Sequence, residues 1–194
     1  MNKILIILIV LVIVIIVSGI WLGLRLITDE EPVACTMDVK QCSDGSYVGR
    51  VPPECDFAPC PKTKIINLYY YNSELDKDES GNIMCSRKGL VSVNREVTVS
   101  KTPIQDAIKL LLSGELTNEE RAQGIDTEYP LEGLSLKGAS LKDGVLTLEF
   151  DDSKNKTVGG SCRTGILWFQ IEATAKQFPE VKQVSSLPED IFQP

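Results

Sequence analysis

The segment "LVSVNREVTVSKTPIQDAIKLLLSG", residues 90–114, places its apolar residues first at the spacing of a β-strand and then at the spacing of an α-helix, within 25 residues. Its first half alternates valine with polar residues, a pattern typical of a β-strand with one buried face. The alternating positions are Val91, Val93, Val97 and Val99. Its second half changes to the helical period, so the sequence predicts a strand followed at once by a helix.

The predicted helix has recognisable ends. Thr102 and Gln105 have the spacing of a capping box, Pro103 suits the first turn, and Gly114 is a typical terminator. Its apolar residues fall on one face: Ile104, Ala107, Ile108, Leu111 and Leu112. A helix with one apolar face packs against another layer, and here we expect that layer to be a sheet.

Similar patterns surround this segment. A strand, a hairpin turning at Asp143-Gly144, a second helix and a last strand are predicted. They are "KIINLYYYN" (64–72), "LSLKGASLKDGVLTLEF" (134–150), residues 162–178 and "VKQVSSL" (181–187). Thr117 and Glu120 form another capping box and predict one or two helical turns. The order β-β-α-β-β-α-β predicts an α+β fold, with two helices packed on a mixed β-sheet.

The amino-terminal sequence predicts a membrane anchor over residues 1–28. Residues 4–24 carry no charge, and as a helix they would span roughly 30 Å of hydrocarbon. A cleavable signal peptide is the alternative, but its apolar core is usually only about 7 to 15 residues and ends at a small-x-small site that is missing here. We therefore expect residues 4–27 to lie in the cytoplasmic membrane.

All six cysteines follow this apolar segment. An even number of cysteines suits disulfide bonds in an oxidising compartment. This predicts a single-pass protein of the cell membrane, with its amino terminus inside and its carboxyl-terminal part extracytoplasmic.

The charge excludes some partners. The first 28 residues contain two of the 20 basic residues and none of the 27 acidic ones, so the rest carries a net charge of −9. Such a surface repels nucleic acids. The chain also has no histidine, the commonest general base and metal ligand. We expect no catalytic residues, no metal and no small-molecule cofactor.

Residues 29–62 form a second predicted region, with four cysteines within 26 residues and few apolar side chains. Disulfides would have to hold it together. A zinc site is the alternative, but paired C-x2-C knuckles are absent. The segment resembles part of a Kazal-type inhibitor module, through "CTMD" at Cys35, "CSDGSY" at Cys42 and "ECDF" around Cys55.

The Kazal resemblance implies a pairing and a contact residue. It implies bridges from Cys35 to Cys55 and from Cys42 to Cys60, and it makes Met37 the residue that faces a protease. The simpler interpretation is a stapled stalk that stiffens the exit from the membrane. If those pairs form, Cys85 and Cys162 remain for a third bridge.

Residues 76–87, "DKDESGNIMCSR", resemble half of a calcium loop. Asp76, Asp78 and Ser80 stand at the first three ligand positions, with Gly81 at the turn. Position 12, however, is Arg87 where a bidentate glutamate is needed, and a strand precedes the loop where a helix is needed. We therefore predict an acidic connection between strands.

Residues 63–194 form the third predicted domain, and residues 64–194 resemble the GerMN domain of bacterial envelope proteins. The matching pieces include "INLYYYN", "LVSVNREV", "TPIQDAIKLLLSGELTNEE" and "SCRTGILWFQIEATAKQFPEVKQV". The resemblance implies a non-catalytic sporulation and germination-type module outside the cytoplasmic membrane that helps to assemble envelope complexes.

Protein binding is therefore the predicted function, with an envelope protein or another copy of the chain as partner. Asp151 and Asp152 follow a strand, but no second carboxylate at a catalytic separation can be identified, and we interpret them as turn residues. Tyr69 and Tyr71 are candidate contact residues, since neighbouring side chains in a strand point to opposite faces. Trp168 is interpreted as core. The alternative function is a membrane-tethered serine protease inhibitor acting through Met37.

Overall fold

The computed structural model describes residues 9, 11–21 and 33–193. Two compact units are present, Met1–Cys60 and Pro61–Pro194. Residues 11–21 are helical. Across the described positions, no helix is both long enough and apolar enough to cross a membrane. Much of the predicted span, residues 4–24, lies outside the described residues, and the anchor stays a prediction.

The first unit is held together by covalent bonds. Its strands are β1 (Val39–Gln41), β2 (Tyr47–Val51) and β3 (Asp56–Phe57), paired antiparallel in that order. Disulfides join Cys35 to Cys55 and Cys42 to Cys60. Among residues 33–60, only Cys42 is buried, so the bridges replace an apolar core.

The second unit contains five strands in two sheets. β4 (Thr63–Tyr71) pairs antiparallel with β5 (Leu90–Thr98). β6 (Leu134–Lys142) pairs antiparallel with β7 (Val145–Asp152), and β8 (Gln183–Leu187) joins β7 in parallel. The α+β class and the mixed character are confirmed, although the strands do not form one continuous sheet.

Three helices complete the second unit: α1 (Pro103–Leu112), α2 (Asn118–Ala122) and α3 (Ser161–Lys176). The Thr117–Glu120 capping box forms as the sequence predicts. The Thr102–Gln105 box does not, because the Thr102 side chain makes no capping bond to the backbone. Gln105 instead donates to the Ala139 carbonyl on β6, 3.5 Å away.

The core lies where the helices meet both sheets. Its largest fully buried apolar side chains come from β4, α1, β7 and α3: Leu68, Tyr70, Ile108, Leu111, Leu146, Leu148, Leu167 and Ile171. Trp168 packs partly buried against this core, with its ring 5.7 Å from that of Phe192. Burial of these side chains is the main favourable contribution to folding.

Side chains near the end of α3 explain why the two sheets stay separate. The Gln177 amide accepts from the Asn67 N–H at 2.8 Å and donates to the Asn67 carbonyl at 2.7 Å, on the edge of β4 that faces away from β5. Thr174 Oγ1 accepts from the Tyr69 N–H at 3.0 Å, and Tyr71 exchanges two backbone bonds with Asp126. These groups occupy the edge that another strand would use.

Candidate functional site

The loop that joins β4 to β5 in the second unit is held by side-chain hydrogen bonds and by a disulfide. This segment, residues 72–89, is called the Asp76 loop below. It begins with a 3-10 turn at Ser73–Asp76 and ends with another at Arg87–Gly89. Between them, Lys77 and Ile83 form an antiparallel bridge, and the Met84 N–H donates to the Asp76 carbonyl at 2.8 Å. The loop is therefore a small hairpin with ordered ends.

Asp76 anchors the loop from within, with only 2% of its surface exposed. Its carboxylate accepts from the Tyr71 hydroxyl, the Ser86 N–H and the Ser86 hydroxyl, each at 2.5 Å. Burial opposes the charge, but the hydrogen bonds from Ser86 and Tyr71 outweigh it and lower the pKa of Asp76. The carboxylate therefore holds the loop closed as an anion.

Asp78 closes the tip of the hairpin. Its Oδ1 accepts from the backbone N–H groups of Ser80 and Asn82, at 2.9 and 2.8 Å, and Gly81 supplies the positive φ of 85° that the turn needs. In the parts of the chain that the structure describes, no group of three or more histidine, cysteine or acidic residues could hold a metal ion.

A disulfide and a cation–π contact fix the base of the loop on α3. Cys85 is bonded to Cys162 at the start of the helix. The Arg87 guanidinium lies 4.0 Å from the centre of the Phe169 ring and forms an ion pair with Glu172. The loop cannot swing away from α3 without breaking both links.

The loop nevertheless presents apolar side chains to solvent. Leu75, Ile83 and Met84 are each at least 48% exposed. Sequence reasoning missed these residues, because single apolar side chains in a polar loop have no periodicity. A rigid loop with exposed apolar side chains has the features of a protein contact, so it is the candidate site.

The predicted contact residues have different environments. Met37, in the first unit, is 98% exposed. Tyr69 is partly buried on β4. Tyr71 is buried and bonded to Asp76, with its ring against Gly89, where a Cβ would lie 2.4 Å from it. Tyr71 is therefore not available on the surface, because the ring fills the space beneath the loop.

Asp151 and Asp152 are the last two residues of β7, and Asp152 closes the turn that follows. Asp152 accepts from the backbone N–H groups of Lys156 and Thr157, at 2.9 and 2.8 Å. Burial opposes ionisation of Asp152, but these bonds prevail and lower its pKa. Asp151 lies 3.5 Å from the Lys137 ammonium group. Asp152 is thus the turn residue that the sequence predicts, whereas Asp151 lies within β7 and pairs with Lys137 on β6, because the strand runs to Asp152.

Acid should loosen the loop through Asp76. Because the pKa of Asp76 is lower in the folded chain, its stabilisation is complete above the unfolded pKa of about 4 and is lost as the pH falls through the folded value. Asp76→Asn should cost about 2–3 kcal/mol at pH 7 and make the free energy of unfolding less dependent on pH below 4. Urea unfolding from pH 2 to 7 measures both.

The exposed Asp126→Asn variant is the control for Asp76→Asn, and it should change the pH profile little. A profile for Asp76→Asn that runs parallel to that of the parent chain at every pH would contradict the anchoring role of Asp76.

The solved structures that resemble the chain include two of a Bacillus subtilis protein and one of a Clostridium perfringens protein. The tandem GerMN domains of the Bacillus subtilis sporulation protein GerM are 22% identical, with a TM-score of 0.44, and the match covers 64% of this chain and 38% of that one. The first GerMN domain of the same protein is 15% identical, with a TM-score of 0.44 and coverages of 63% and 80%. A putative lipoprotein from Clostridium perfringens is 17% identical, with a TM-score of 0.34 and coverages of 64% and 74%.

No curated protein matches the chain. A family model described as "Germane: Sporulation and spore germination" matches residues 67–186. That range begins within β4, includes the Asp76 loop and all three helices, and ends in β8. The GerMN resemblance is thereby confirmed, while the Kazal resemblance stays a prediction. Since the model covers more than half of the sequence, the chain belongs to the Germane family.

Proposed function

We propose that the chain is a membrane-anchored, non-catalytic module that binds another envelope protein, or a second copy of itself, outside the cytoplasmic membrane. The observation that carries the proposal is the Asp76 loop, which is fixed at both ends and exposes apolar side chains at Leu75, Ile83 and Met84. Family membership supports a role in the cell envelope, and the apolar amino-terminal segment supports attachment to the membrane.

Rigidity favours binding by this loop. A flexible loop loses conformational entropy when a partner orders it, whereas a loop already held by Asp76 and the Cys85–Cys162 bond loses little. Methionine is enriched in protein interfaces, and Met84 is exposed. The loop can thus offer an apolar contact at small entropic cost.

A non-catalytic role agrees with the polar groups of the domain. The chain has no histidine, and the Asp76 and Asp152 carboxylates are both used by hydrogen bonds within their own loops. Neither carboxylate is poised to exchange a proton with a substrate near neutral pH, because the pKa of each is lowered.

Site-specific photo-cross-linking in native membranes tests the proposal. A benzophenone amino acid at Met84 should give a discrete cross-linked species, identified as a partner or a dimer by mass spectrometry. The same group at Lys142, exposed on β6, is the matched control and should give none. Equal yields from the two positions, or no adduct from either, would count against an interface at the loop.

The protease inhibitor is a second candidate, favoured by the exposure of Met37 next to the Cys35–Cys55 bond. Full-length protein at micromolar concentration should then inhibit a chymotrypsin- or subtilisin-like protease, and Met37→Asp should raise the inhibition constant more than tenfold. Absence of inhibition by the parent chain would eliminate this function.

A further inference from the structure

The outer edge of β8 carries backbone groups without a partner. β8 is the last strand of its three-stranded sheet and pairs with β7 alone. The Gln183 N–H donates to the Gly144 carbonyl at 3.1 Å, which sets the phase of the parallel ladder. Because alternate residues of a strand direct their backbone groups to opposite edges, Val184 and Ser186 point theirs away from β7. Among the described residues, none bonds to these four groups.

Other strand edges of the second unit are protected, whereas this one is not. Gln177, Thr174 and Asp126 occupy the edge of β4, and β6 carries a bulge between Leu136 and Gly138. Folded proteins usually protect an edge with such groups, with a bulge, or with lysine or proline in the strand. The sequence of β8, "QVSSL", contains no lysine and no proline, and its ladder with β7 has no bulge. An edge of this kind is suited to pairing with another strand.

Open space lies beside the unpaired edge. A groove with a volume of about 530 Å³ is lined by the last three residues of β8, by Trp168 of α3 and by residues between 189 and 193. Leu187, at the end of the strand, is 44% exposed. The edge is therefore accessible to a second chain.

The unpaired groups are complementary to those of a second copy. When β8 lies antiparallel to β8 of another chain, with a two-fold axis at Ser185, Val184 of each copy lies opposite Ser186 of the other. Both residues direct an N–H and a C=O to this edge, so the pairing forms four backbone hydrogen bonds. Ser185 then faces its own counterpart at a non-hydrogen-bonded position, about 4.5 Å away between Cα atoms. A small hydroxyl side chain fits that spacing.

The charges at the two ends of β8 favour the same arrangement. Lys182 precedes the strand and Glu189 follows it, and both are exposed. In the antiparallel register, Lys182 of one copy lies opposite Pro188 and next to Glu189 of the other, so opposite charges meet. The strand between them carries no charge. Two chains that each have a net charge of −7 can therefore approach here without bringing like charges together.

We propose that β8 pairs antiparallel with β8 of a second copy, which joins the two three-stranded sheets into one six-stranded sheet. This inference goes beyond the proposed function, because it uses the edge of β8 rather than the Asp76 loop and commits to a second copy as the occupant. The interaction is symmetric, as in most homodimers. Each chain thus keeps its Asp76 loop for a further contact.

Disulfide trapping of the full-length chain in cells tests the register. Ser185→Cys with a mild oxidant should give a disulfide-linked homodimer, because a Cα separation of about 4.5 Å lies within the range of about 4.4–6.8 Å that disulfides span. Gln183→Cys, on the same strand, is the matched control. Its Cα would lie about 14 Å from its counterpart, so it should give at least tenfold less dimer. Non-reducing peptide mapping identifies the bond between the two introduced cysteines.

Two further variants make the test independent of how Ser185→Cys folds. Gln183→Cys and Leu187→Cys, expressed together, should form a mixed dimer, since these exposed positions lie opposite each other in the proposed register. Ser186→Pro, added to Ser185→Cys, removes an N–H that points away from β7. It should lower the dimer yield at least tenfold and leave the far-ultraviolet circular dichroism spectrum unchanged, because proline is tolerated at such edge positions.

Three results would overturn the inference. They are equal dimer yields from Ser185→Cys and Gln183→Cys, absence of both the Ser185→Cys dimer and the mixed dimer, and trapping of a different protein in place of a second copy. Cross-linking at Met84 tests the proposed function separately. An adduct at Met84 without a trapped dimer removes only this inference, and a trapped dimer without an adduct at Met84 removes only the interface at the Asp76 loop.

Discussion

Gly114→Ala is expected to destabilise the second unit severely. Gly114 follows α1 with a φ of +66°, where a side chain costs roughly 1–2 kcal/mol. An added Cβ would also lie 1.8 Å from the Tyr129 carbonyl oxygen, well inside contact distance. That oxygen cannot retreat easily, because the Tyr129 ring is buried and its hydroxyl donates to the Leu167 carbonyl at 3.0 Å.

The loss should therefore exceed about 4 kcal/mol, a large part of the stability of a small domain. Guanidinium unfolding followed by far-ultraviolet circular dichroism measures it. Gly124→Ala is the matched control, with a φ of +80° but only the Asn72 side chain near its Cβ, at 3.1 Å. It should cost about 1–2 kcal/mol. If both variants lost the same amount, the clash with Tyr129 would not be the cause.

Loss of the Cys85–Cys162 bond is expected to have the second-largest effect. The bond joins residues 77 positions apart, and for a loop of that length the chain-entropy model gives a stabilisation of about 4 kcal/mol. Replacing both cysteines with serine should lower the free energy of unfolding of the second unit by that amount. The base of the Asp76 loop would then be held by Asp76 and Arg87 without the covalent link to α3.

Equilibrium unfolding of the double variant in urea measures this loss. The control replaces Cys35 and Cys55, which close a loop of 20 residues within the first unit. It should leave the transition of Pro61–Pro194 in place, since both residues belong to the other unit. An unchanged transition in the Cys85/Cys162 variant would show that hydrogen bonds alone fix the loop.

The elements of the second unit were predictable because their signals are local. Alternating valines specify β5, and Gly114 ends α1 through its own backbone conformation. The separation into two sheets was not predictable. It depends on Gln177 and Thr174 meeting β4 across more than 100 residues of sequence, and both look like ordinary polar residues near the end of a helix.

The candidate site was harder to predict, because it also depends on contacts between residues that are not neighbours in a regular sequence pattern. Asp76 resembles a calcium ligand in its local pattern, whereas its role in the structure follows from the hydrogen bonds that Tyr71 and Ser86 donate to its carboxylate. The alternation rule places Tyr69 and Tyr71 on one face but cannot show that the Asp76 loop closes over Tyr71.

The hydrogen bonds that Gln177, Thr174 and Asp126 make along β4 also limit how copies of the domain can polymerise. Fibres that grow by strand addition need unpaired backbone groups, and on that side of β4 both backbone groups of Asn67 and Tyr71 and the N–H of Tyr69 are already hydrogen-bonded. A strand added at this edge of β4 would first have to break those bonds, so an ordered stack of these domains is easier to build through side-chain surfaces or other strands.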